Sequence, residues 1–429
     1  MYSLRLCLRS LQLLPKWKQC TKRTDSVLSA FISKGVQNGF TLYYTSGHMC
    51  NQHSQSDDDA SHTVLSPDKL LDEATLPKSD PVEFPSDLAE GQAPNIAQKQ
   101  SQKKHAFRPK IDPKDTTILL FPGQGSQFVG MGQQLLDVPG VEELYSKASD
   151  ILGYDLLELC LNGPSEKLNQ TVHCQPAVFV TSIAAVEKLK HTCPWAIEHC
   201  ITAAGFSIGE YAALVFSGAI SYEDALKVIQ VRAKAMHEAS LETPSGMMTV
   251  FLTHRTKLKY ACFTARRYCT EVLKMDNAVC SIANYLYPEC KVIAGNNQAL
   301  EFLEKHGKEF AISRMRKLPV SGAFHTDLMK PAQQHLKEAI KHIDIETPII
   351  PVHSNVNGYK YKHPKAIERF LVDQVSEPIK WEQTMHILYS RPESEDFPFT
   401  YEVGPGKQLG QILQRTNKKA FAQYEAVPV

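Results

Sequence analysis

The sequence predicts an α/β protein whose mostly parallel, helix-covered sheet is interrupted by a smaller inserted unit. The chain has 429 residues, more than one compact core usually holds. From about residue 115, apolar runs typical of strands alternate with helical patterns, and this alternation favours a parallel sheet. Between about residues 245 and 320 the order changes to βαββαβ, which is typical of a ferredoxin-like unit.

The chain before residue 115 has a different character. No acidic residue occurs from Met1 to Thr24, where basic residues interrupt a series of leucines. This pattern is typical of an organelle transit peptide, predicted here for residues 1–45; a basic surface helix of the fold is the alternative. Residues 46–114 are polar and predicted to form a disordered linker. The folded domain is therefore predicted to span residues 115–429.

Composition excludes several classes of protein. A net charge of +1, from 47 basic and 46 acidic residues, argues against nucleic-acid binding through bulk positive charge. The eleven cysteines include no C-x-x-C pair, so neither a zinc site nor a disulfide framework is expected. No uncharged apolar run reaches the length of about 18 residues that indicates a membrane span.

The first predicted elements are a strand, a glycine-rich loop and a helix. Residues 116–121 form a β-rich apolar run, which ends at the loop 122–127, Pro-Gly-Gln-Gly-Ser-Gln. The apolar residues Met131, Leu135 and Leu136 then predict a helical stretch. This order is that of the first unit of a parallel sheet.

The second unit contains a nucleophile motif. A helix is predicted over residues 177–190 and a strand over 201–206, which leads into residues 205–209, Gly-Phe-Ser-Ile-Gly. A G-x-S-x-G sequence between a strand and a helix is typical of the serine turn of an α/β-hydrolase-like domain. Ser207 would lie on a tight turn, and the Ile208 amide would face an oxyanion at the helix N-terminus. An ordinary strand-to-helix turn is the alternative.

A serine nucleophile needs a base, and His325 is the candidate among sixteen histidines. It follows residues 320–324, where a strand ends in small residues that let backbone approach, and it precedes a helix predicted from about Pro331. A loop histidine without a catalytic role is the alternative.

An arginine lies on the apolar side of the helix predicted over residues 222–238. Ala225, Ile229, Arg232 and Met236 follow one helical stripe, which places a guanidinium among apolar side chains. A buried arginine needs a partner. That partner is either a structural carboxylate or a bound anionic substrate.

The inserted unit has six predicted elements. They are a strand at 247–252, a helix at 257–273, strands at 278–286 and 290–295, a helix at 298–306 and a strand at 312–320. Alternation of helices and strands resumes from Pro331 to the end of the chain.

Five segments together resemble one family, the malonyl-CoA:acyl carrier protein transacylases. The resemblance covers about residues 115–415 and rests on the order and spacing of residues 121–127 (Phe-Pro-Gly-Gln-Gly-Ser-Gln), 205–210 (Gly-Phe-Ser-Ile-Gly-Glu), Arg232, His325 and 402–407 (Glu-Val-Gly-Pro-Gly-Lys). With the transit-like N-terminus, it implies an enzyme of the mitochondrial matrix that supplies fatty acid synthesis.

The resemblance implies a ping-pong acyl transfer through a malonyl-serine ester. Ser207 would be the nucleophile and His325 the base. A backbone carbonyl at Gln374, in place of an aspartate, would orient the histidine. The amides of Gln124 and Ile208 would form the oxyanion hole. Malonyl-CoA and the phosphopantetheine thiol of acyl carrier protein would be the substrates, with neither a metal nor another cofactor.

The resemblance also implies how the acyl group is bound. Arg232 would pair with the malonyl carboxylate, and Gln175 and Met236 would line the pocket. Phe324, just before the histidine, would leave little room for an α-methyl group and favour malonyl over methylmalonyl. The sequence departs from many bacterial members at Phe206, which replaces a histidine, and at Leu286 and Cys290.

Two other functions remain open from the residues. A serine esterase or thioesterase could use the same turn, but Arg232 favours an acyl group that carries a carboxylate. A phosphate-binding or inactive interaction module could use the loop 123–125, although the loop lacks the G-x-x-x-x-G-K-[ST] spacing.

Basic residues on the inserted unit are candidates for docking the acidic carrier protein. They are Arg266, Arg267, Arg314, Arg316 and Lys317. A solvated basic surface without a partner is the alternative.

Overall fold

The computed structural model describes residues 111–392 and 394–429. The predicted transit peptide, residues 1–45, and nearly all of the predicted linker, residues 46–114, lie outside the described residues. The first described element is a 3-10 turn at Pro113–Asp115, directly before the first strand.

The strands in the described residues fall into two sheets. They are β1 Thr117–Phe121, β2 Cys200–Gly205, β3 Ser245–Phe251, β4 Cys280–Tyr287, β5 Cys290–Asn296, β6 Arg314–Lys317, β7 Val352–His353, β8 Phe399–Glu402 and β9 Tyr424–Ala426. The helices are α1 Val141–Leu152, α2 Leu156–Asn162, α3 Ser165–Leu168, α4 Thr171–Thr192, α5 Pro194–Glu198, α6 Gly209–Phe216, α7 Tyr222–Glu242, α8 Leu258–Arg267, α9 Asn297–His306, α10 Lys330–Ile340, α11 Pro364–Asp373, α12 Trp381–Tyr389, α13 Gln408–Thr416 and α14 Lys418–Phe421.

The larger sheet is parallel throughout. Its five strands lie in the order β7-β2-β1-β8-β9. Every residue of β1 is buried because both faces of the sheet are covered. Leu119 and Phe121 pack into the core beneath α4, α6 and α7, whereas Ile118 and Leu120 pack against α12 and α13 on the other face. The predicted parallel, helix-covered sheet is confirmed.

The inserted unit is a separate antiparallel sheet with its own core. Strands β3 to β6 lie in the order β4-β5-β3-β6, which is the ferredoxin-like order expected for a βαββαβ unit. Helices α8 and α9 cover this sheet and share its apolar cluster. The predicted helix to residue 273 continues beyond α8 only as a π-helical turn at Tyr268–Val272. The last strand is shorter than predicted and spans Arg314–Lys317.

The helix predicted from Met131, Leu135 and Leu136 is wrong. That segment forms turns and a short 3-10 turn at Gln133–Leu135, and the first α-helix begins at Val141. Gly130 and Gly132 adopt φ values of 99° and 94°, which an α-helix cannot contain. Met131 and Leu135 are buried nevertheless, so the apolar spacing reflects burial of a loop.

Two kinds of feature are absent from the described residues. Within residues 111–392 and 394–429, no helix is both long and apolar enough to cross a membrane. In the same described part of the chain, no cluster of three or more His, Cys, Asp or Glu side chains is arranged to hold a metal ion.

Candidate active site

Ser207 lies on a sharp turn between β2 and α6. Its backbone is in the left-handed region, with φ 51°. A Cβ on Gly205 would overlap the carbonyl oxygen of Gly209, and one on Gly209 would overlap that of Phe121. Only glycine fits at either position, so both glycines of the motif are required by close backbone approach.

A histidine contacts the serine hydroxyl. His325 Nε2 lies 3.1 Å from Ser207 Oγ, and His325 Nδ1 lies 2.7 Å from the backbone oxygen of Gln374. Because a carbonyl only accepts, Nδ1 carries the hydrogen and Nε2 is left to accept the serine proton. Burial, followed by the nearby Arg232 charge, lowers the pKa of His325 to about 3. The imidazole is therefore neutral at neutral pH, as a general base must be.

Arg232 is buried beside this pair. Its Nη1 donates to Gln175 Oε1 at 2.7 Å, and its Nη2 donates to Ser207 Oγ at 3.0 Å and to Gln374 Oε1 at 2.8 Å. Among the described residues, every hydrogen-bond acceptor of the guanidinium is an uncharged oxygen. No carboxylate is hydrogen-bonded to the guanidinium there, because Glu210 is linked to it only through Gln374 and acts on its charge through space. An anionic ligand would therefore still find a cationic partner.

Gln374 connects the arginine to a buried carboxyl group. Its Nε2 donates to the Ser207 backbone oxygen at 3.1 Å and to Glu210 Oε2 at 2.6 Å. Tyr361 OH also donates to Glu210. Burial raises the pKa of Glu210 to about 7, although these hydrogen bonds act in the opposite direction. The side chain of Gln374 thus has a defined orientation, with its oxygen toward Arg232.

Two members of this network, Glu210 and Asn355, were given no role by the sequence analysis. Asn355 Oδ1 accepts from the Ser207 amide at 2.6 Å, and its Nδ2 donates to the Gly205 oxygen at 2.7 Å. Asn355 follows β7, which neighbours β2 in the parallel sheet. The carboxyl ends of parallel strands meet at one edge of the sheet, which places Asn355 beside Ser207. The sequence pattern predicts no individual strand at residues 352–353, so this position gave no signal.

Two backbone amides beside the serine are free to bind an oxyanion. Among the described residues, neither the Gln124 nor the Ile208 amide donates to a protein acceptor. The two segments are close, since the Phe206 amide donates to the Phe121 oxygen at 2.9 Å. A Cβ on Gly123 would lie 2.5 Å from the Phe206 oxygen. The glycine-rich loop therefore lies against the serine turn.

Other residues named by the resemblance lie around Arg232. Gln175 Nε2 lies 3.6 Å from Met236 Sδ, so these two side chains and Arg232 form one buried contact set. Phe324 is buried and directly precedes the histidine. Phe206, where many bacterial members have histidine, packs edge-on against Trp381 with ring centroids 5.4 Å apart. An aromatic contact therefore occupies that position.

A cleft leads to His325 between the parallel-sheet domain and the inserted unit. Its volume is about 290 Å³. Lys259, Arg266 and Tyr285 line it from the inserted unit, and His325 and Ser376 line it from the larger domain. Asp327 and Glu377 line the cleft as well, so its cationic and anionic side chains balance. An extended ligand could reach the histidine along this route.

This geometry can form and release an ester on a serine, which is the chemistry of an acyltransferase or of a serine hydrolase. Comparison with known proteins decides between these classes. The model of the acyl transferase domain family matches residues 118–429. The chain belongs to this family and is an acyltransferase.

Individual relatives are more specific. The chain is 53% identical over 317 residues to the human mitochondrial malonyl-CoA-acyl carrier protein transacylase, covering 74% of this chain and 81% of the human one. It is 35% identical to the Bacillus subtilis enzyme of that name, covering 70% and 90% of the two chains. The solved structure of the Coxiella burnetii transacylase has a TM-score of 0.66 at 28% identity, covering 74% and 95%.

A further solved structure shows a malonyl-transacylase in complex with a type II PKS acyl-carrier protein. It is 31% identical to this chain, with a TM-score of 0.63, and it covers 73% of this chain and 96% of its own. The two-part fold is therefore that of the malonyl-CoA:acyl carrier protein transacylases.

Proposed function

We propose that this chain transfers the malonyl group of malonyl-CoA to the phosphopantetheine thiol of acyl carrier protein in mitochondria, for fatty acid synthesis. The observation that carries this proposal is the buried Arg232, which contacts Ser207 Oγ at 3.0 Å and has no carboxylate acceptor among the described residues. A carboxylate-bearing acyl ester on Ser207 would supply that acceptor. The names of the relatives agree with this substrate.

In the first half-reaction, Ser207 attacks the thioester carbonyl of malonyl-CoA. The serine proton passes to His325 Nε2, while the Nδ1–H group keeps donating its hydrogen bond to the Gln374 backbone oxygen, 2.7 Å away. The Gln124 and Ile208 amides stabilise the oxyanion. The C–S bond then breaks, and the proton leaves with the CoA sulfur.

In the second half-reaction, the phosphopantetheine thiol of acyl carrier protein enters by the cleft. His325 takes the thiol proton, the sulfur attacks the malonyl-serine ester, and the proton returns to Ser207 Oγ. The product is a malonyl thioester on the carrier. Each step uses only these side chains, the two amides and the two substrates.

Arg232 would select malonyl by pairing with its carboxylate through two parallel hydrogen bonds. Gln175 and Met236 would line the acyl pocket, and Phe324 would limit room beside the malonyl methylene. An acetyl group would leave the guanidinium without a charged partner.

Residues 1–45 would direct import into the mitochondrial matrix. The relatives from human, mouse and Drosophila melanogaster are all named as mitochondrial. Fusing residues 1–45 to a reporter tests this, because a reporter that stays in the cytosol would contradict it.

The direct test of function is to incubate the full chain with malonyl-CoA and holo-acyl carrier protein and to weigh both proteins. The expected result is a malonyl adduct on the enzyme that disappears as the carrier gains the same mass. Rapid release of malonate to water would favour a hydrolase. The absence of any adduct would favour an interaction module.

A further inference from the structure

The contact between Arg232 and the nucleophile has a consequence for how the reaction is controlled. Ser207 Oγ accepts from Arg232 Nη2 at 3.0 Å and lies 3.1 Å from His325 Nε2. Arg232 is only 1% exposed and Ser207 only 7%. A buried positive charge is therefore hydrogen-bonded directly to the oxygen that must attack the substrate.

This contact opposes nucleophilic attack in two ways. A hydrogen bond from a cation withdraws electron density from the oxygen and occupies one of its lone pairs. The same charge disfavours a second positive charge on His325, which must form when the imidazole takes the serine proton. In agreement, burial and then the Arg232 charge lower the pKa of His325.

Two-bond pairing with a carboxylate cannot leave this contact unchanged. A guanidinium presents a fork either through Nη1 and Nη2 or through Nε and Nη2, so Nη2 takes part in both. Both hydrogens of Nη2 are already used, one by Ser207 Oγ and one by Gln374 Oε1. A bound carboxylate must therefore displace one of these two acceptors.

The displaced acceptor is the serine. Gln374 is held by two further bonds from its Nε2, to the Ser207 oxygen at 3.1 Å and to Glu210 at 2.6 Å. Its backbone oxygen is fixed by His325 as well. The Ser207 hydroxyl has only one other partner, His325 Nε2 at 3.1 Å, and a rotation about χ1 can lengthen its contact with Arg232 while the Ser207 amide stays bonded to Asn355.

We infer that the carboxylate of the incoming acyl group releases Ser207 from Arg232, so that a malonyl group switches on the nucleophile that receives it. This inference rests on the proposed function and extends it: Arg232 controls the rate of acylation as well as the binding of the acyl group. An acyl group without a carboxylate leaves the contact in place, and Ser207 stays unreactive beside a bound thioester.

The inference is tested by supplying the thioester and the carboxylate of malonyl-CoA as two separate molecules. Acetyl-CoA provides the thioester and formate provides the carboxylate, and the acetyl adduct on Ser207 is followed by intact mass in single turnover. Formate is titrated to about 0.3 M because an untethered carboxylate lacks the effective concentration of a linked one. Formamide, which has nearly the same shape without the charge, and sodium chloride at equal ionic strength are the matched controls.

Formate is expected to raise the maximal rate of acetyl loading at least about tenfold, the scale of releasing one charge-assisted hydrogen bond. The half-saturating concentration of acetyl-CoA should change little. If formate lowered only the half-saturating concentration of acetyl-CoA and left the maximal rate unchanged, the carboxylate would improve only binding. That result would overturn the inference. No formate effect would overturn it as well.

Arg232→Gln supplies a second measurement, since it removes the charge but keeps a polar side chain. It should load acetyl faster than the native enzyme and should not respond to formate. Slower acetyl loading by a folded variant would show that the guanidinium activates the serine, contrary to the inference. Malonyl-CoA is run in parallel with the native enzyme: failure of malonyl loading contradicts the proposed function itself, whereas malonyl loading without a formate effect contradicts only the inference.

Discussion

The parallel-sheet domain and the inserted unit differ in what they place around Ser207. Among the described residues, every hydrogen-bond partner of the serine belongs to the larger domain: Arg232 on α7, His325 and Gln374 in loops, Asn355 after β7, and the Glu210 amide on α6. The inserted unit lines the cleft through α8 and β4 and carries exposed arginines on its edge strand β6. The groups that contact the nucleophile therefore lie on helices and loops of the larger domain, while the inserted unit forms one wall of the approach to them.

The two regions are nevertheless joined by specific bonds. Strand β4 continues into the larger domain through the Tyr285 amide, which donates to the Ile379 oxygen at 2.9 Å, and the Ile379 amide, which donates to Ala283 at 2.8 Å. Lys291 on β5 also forms a largely buried ion pair with Glu382 on α12. The cleft therefore has walls that are fixed relative to each other by both backbone and charge.

The largest expected effect comes from replacing Ser207 or His325, the nucleophile and base of the larger domain. Ser207→Ala should eliminate the malonyl adduct, because no hydroxyl is left to form the ester. His325→Ala should slow adduct formation by at least about 10²-fold, the usual scale for losing a general base. Intact mass after mixing with malonyl-CoA measures both. An adduct that persists on Ser207→Ala would place the chemistry at another residue.

Removing the buried cation in the same region should have the next largest effect. Arg232→Ala is expected to cost about 3 to 5 kcal/mol of malonyl binding in the transition state, the scale for losing one partner of a buried charge pair. It should also permit loading of acetyl or longer apolar groups. Arg232→Lys should keep only weak malonyl use, because lysine lacks the planar fork. Normal malonyl loading by Arg232→Ala would make the arginine a structural residue.

The sequence predicted much of this site, and the residues show why. Ser207, His325 and Arg232 were recognisable because the glycine motif, the small residues before the histidine and the helical stripe are local patterns. Asn355 and Glu210 were not, since their amide and carboxyl groups act on Ser207 and Gln374 from positions more than a hundred residues away in the chain. Only the order of strands in the sheet brings them together.

The same limit explains the errors in the fold. The parallel sheet and the inserted βαββαβ unit followed from the alternation of elements, which is a property of long segments, whereas the strand order of the larger sheet was not predicted. The helix predicted around Met131 failed because the buried loop imitates a helical spacing while two glycines with positive φ interrupt it. Apolar spacing reports burial, and only backbone geometry separates a helix from a packed loop.

A third prediction concerns the ion pair that joins the two regions. Glu382→Gln would leave Lys291, which is 8% exposed, without its charged partner. The expected loss in the free energy of unfolding is about 3 kcal/mol, the lower end for breaking a buried pair. Urea unfolding measures it. Glu143→Gln, which breaks an exposed pair with Lys147 on α1, is the matched control and should change stability little.

This pair also predicts a pH dependence with a defined sign. Burial alone would raise the pKa of Glu382, but His386 and Lys291 outweigh it and the net shift is downward from 4.5. Its stabilising contribution is therefore fully present above pH 4.5 and is lost as the pH falls through the lower, folded-state pKa. Native and Glu382→Gln stabilities should converge in that acid range. Parallel pH curves for the two proteins would contradict this account.

The smallest expected effect tests the inserted unit as the docking wall. Arg316 is exposed on edge strand β6, whereas Lys317 beside it is already paired with Glu304 at 2.8 Å and Arg267 with Glu271 at 2.8 Å. Arg316→Glu should raise the KM for acyl carrier protein about fivefold at low salt, the scale of a single surface charge against an acidic partner. Reaction with free pantetheine should not change, because the bond-making groups lie in the larger domain.

The matched control is Lys419→Glu on α14, which makes the same charge change outside the inserted unit and should leave the KM unchanged. Added salt should shrink the difference between Arg316→Glu and the native enzyme, since it screens exposed charges. Equal losses with carrier protein and pantetheine would point to damage to the fold, and equal effects of the two variants would remove the inserted unit from carrier recognition.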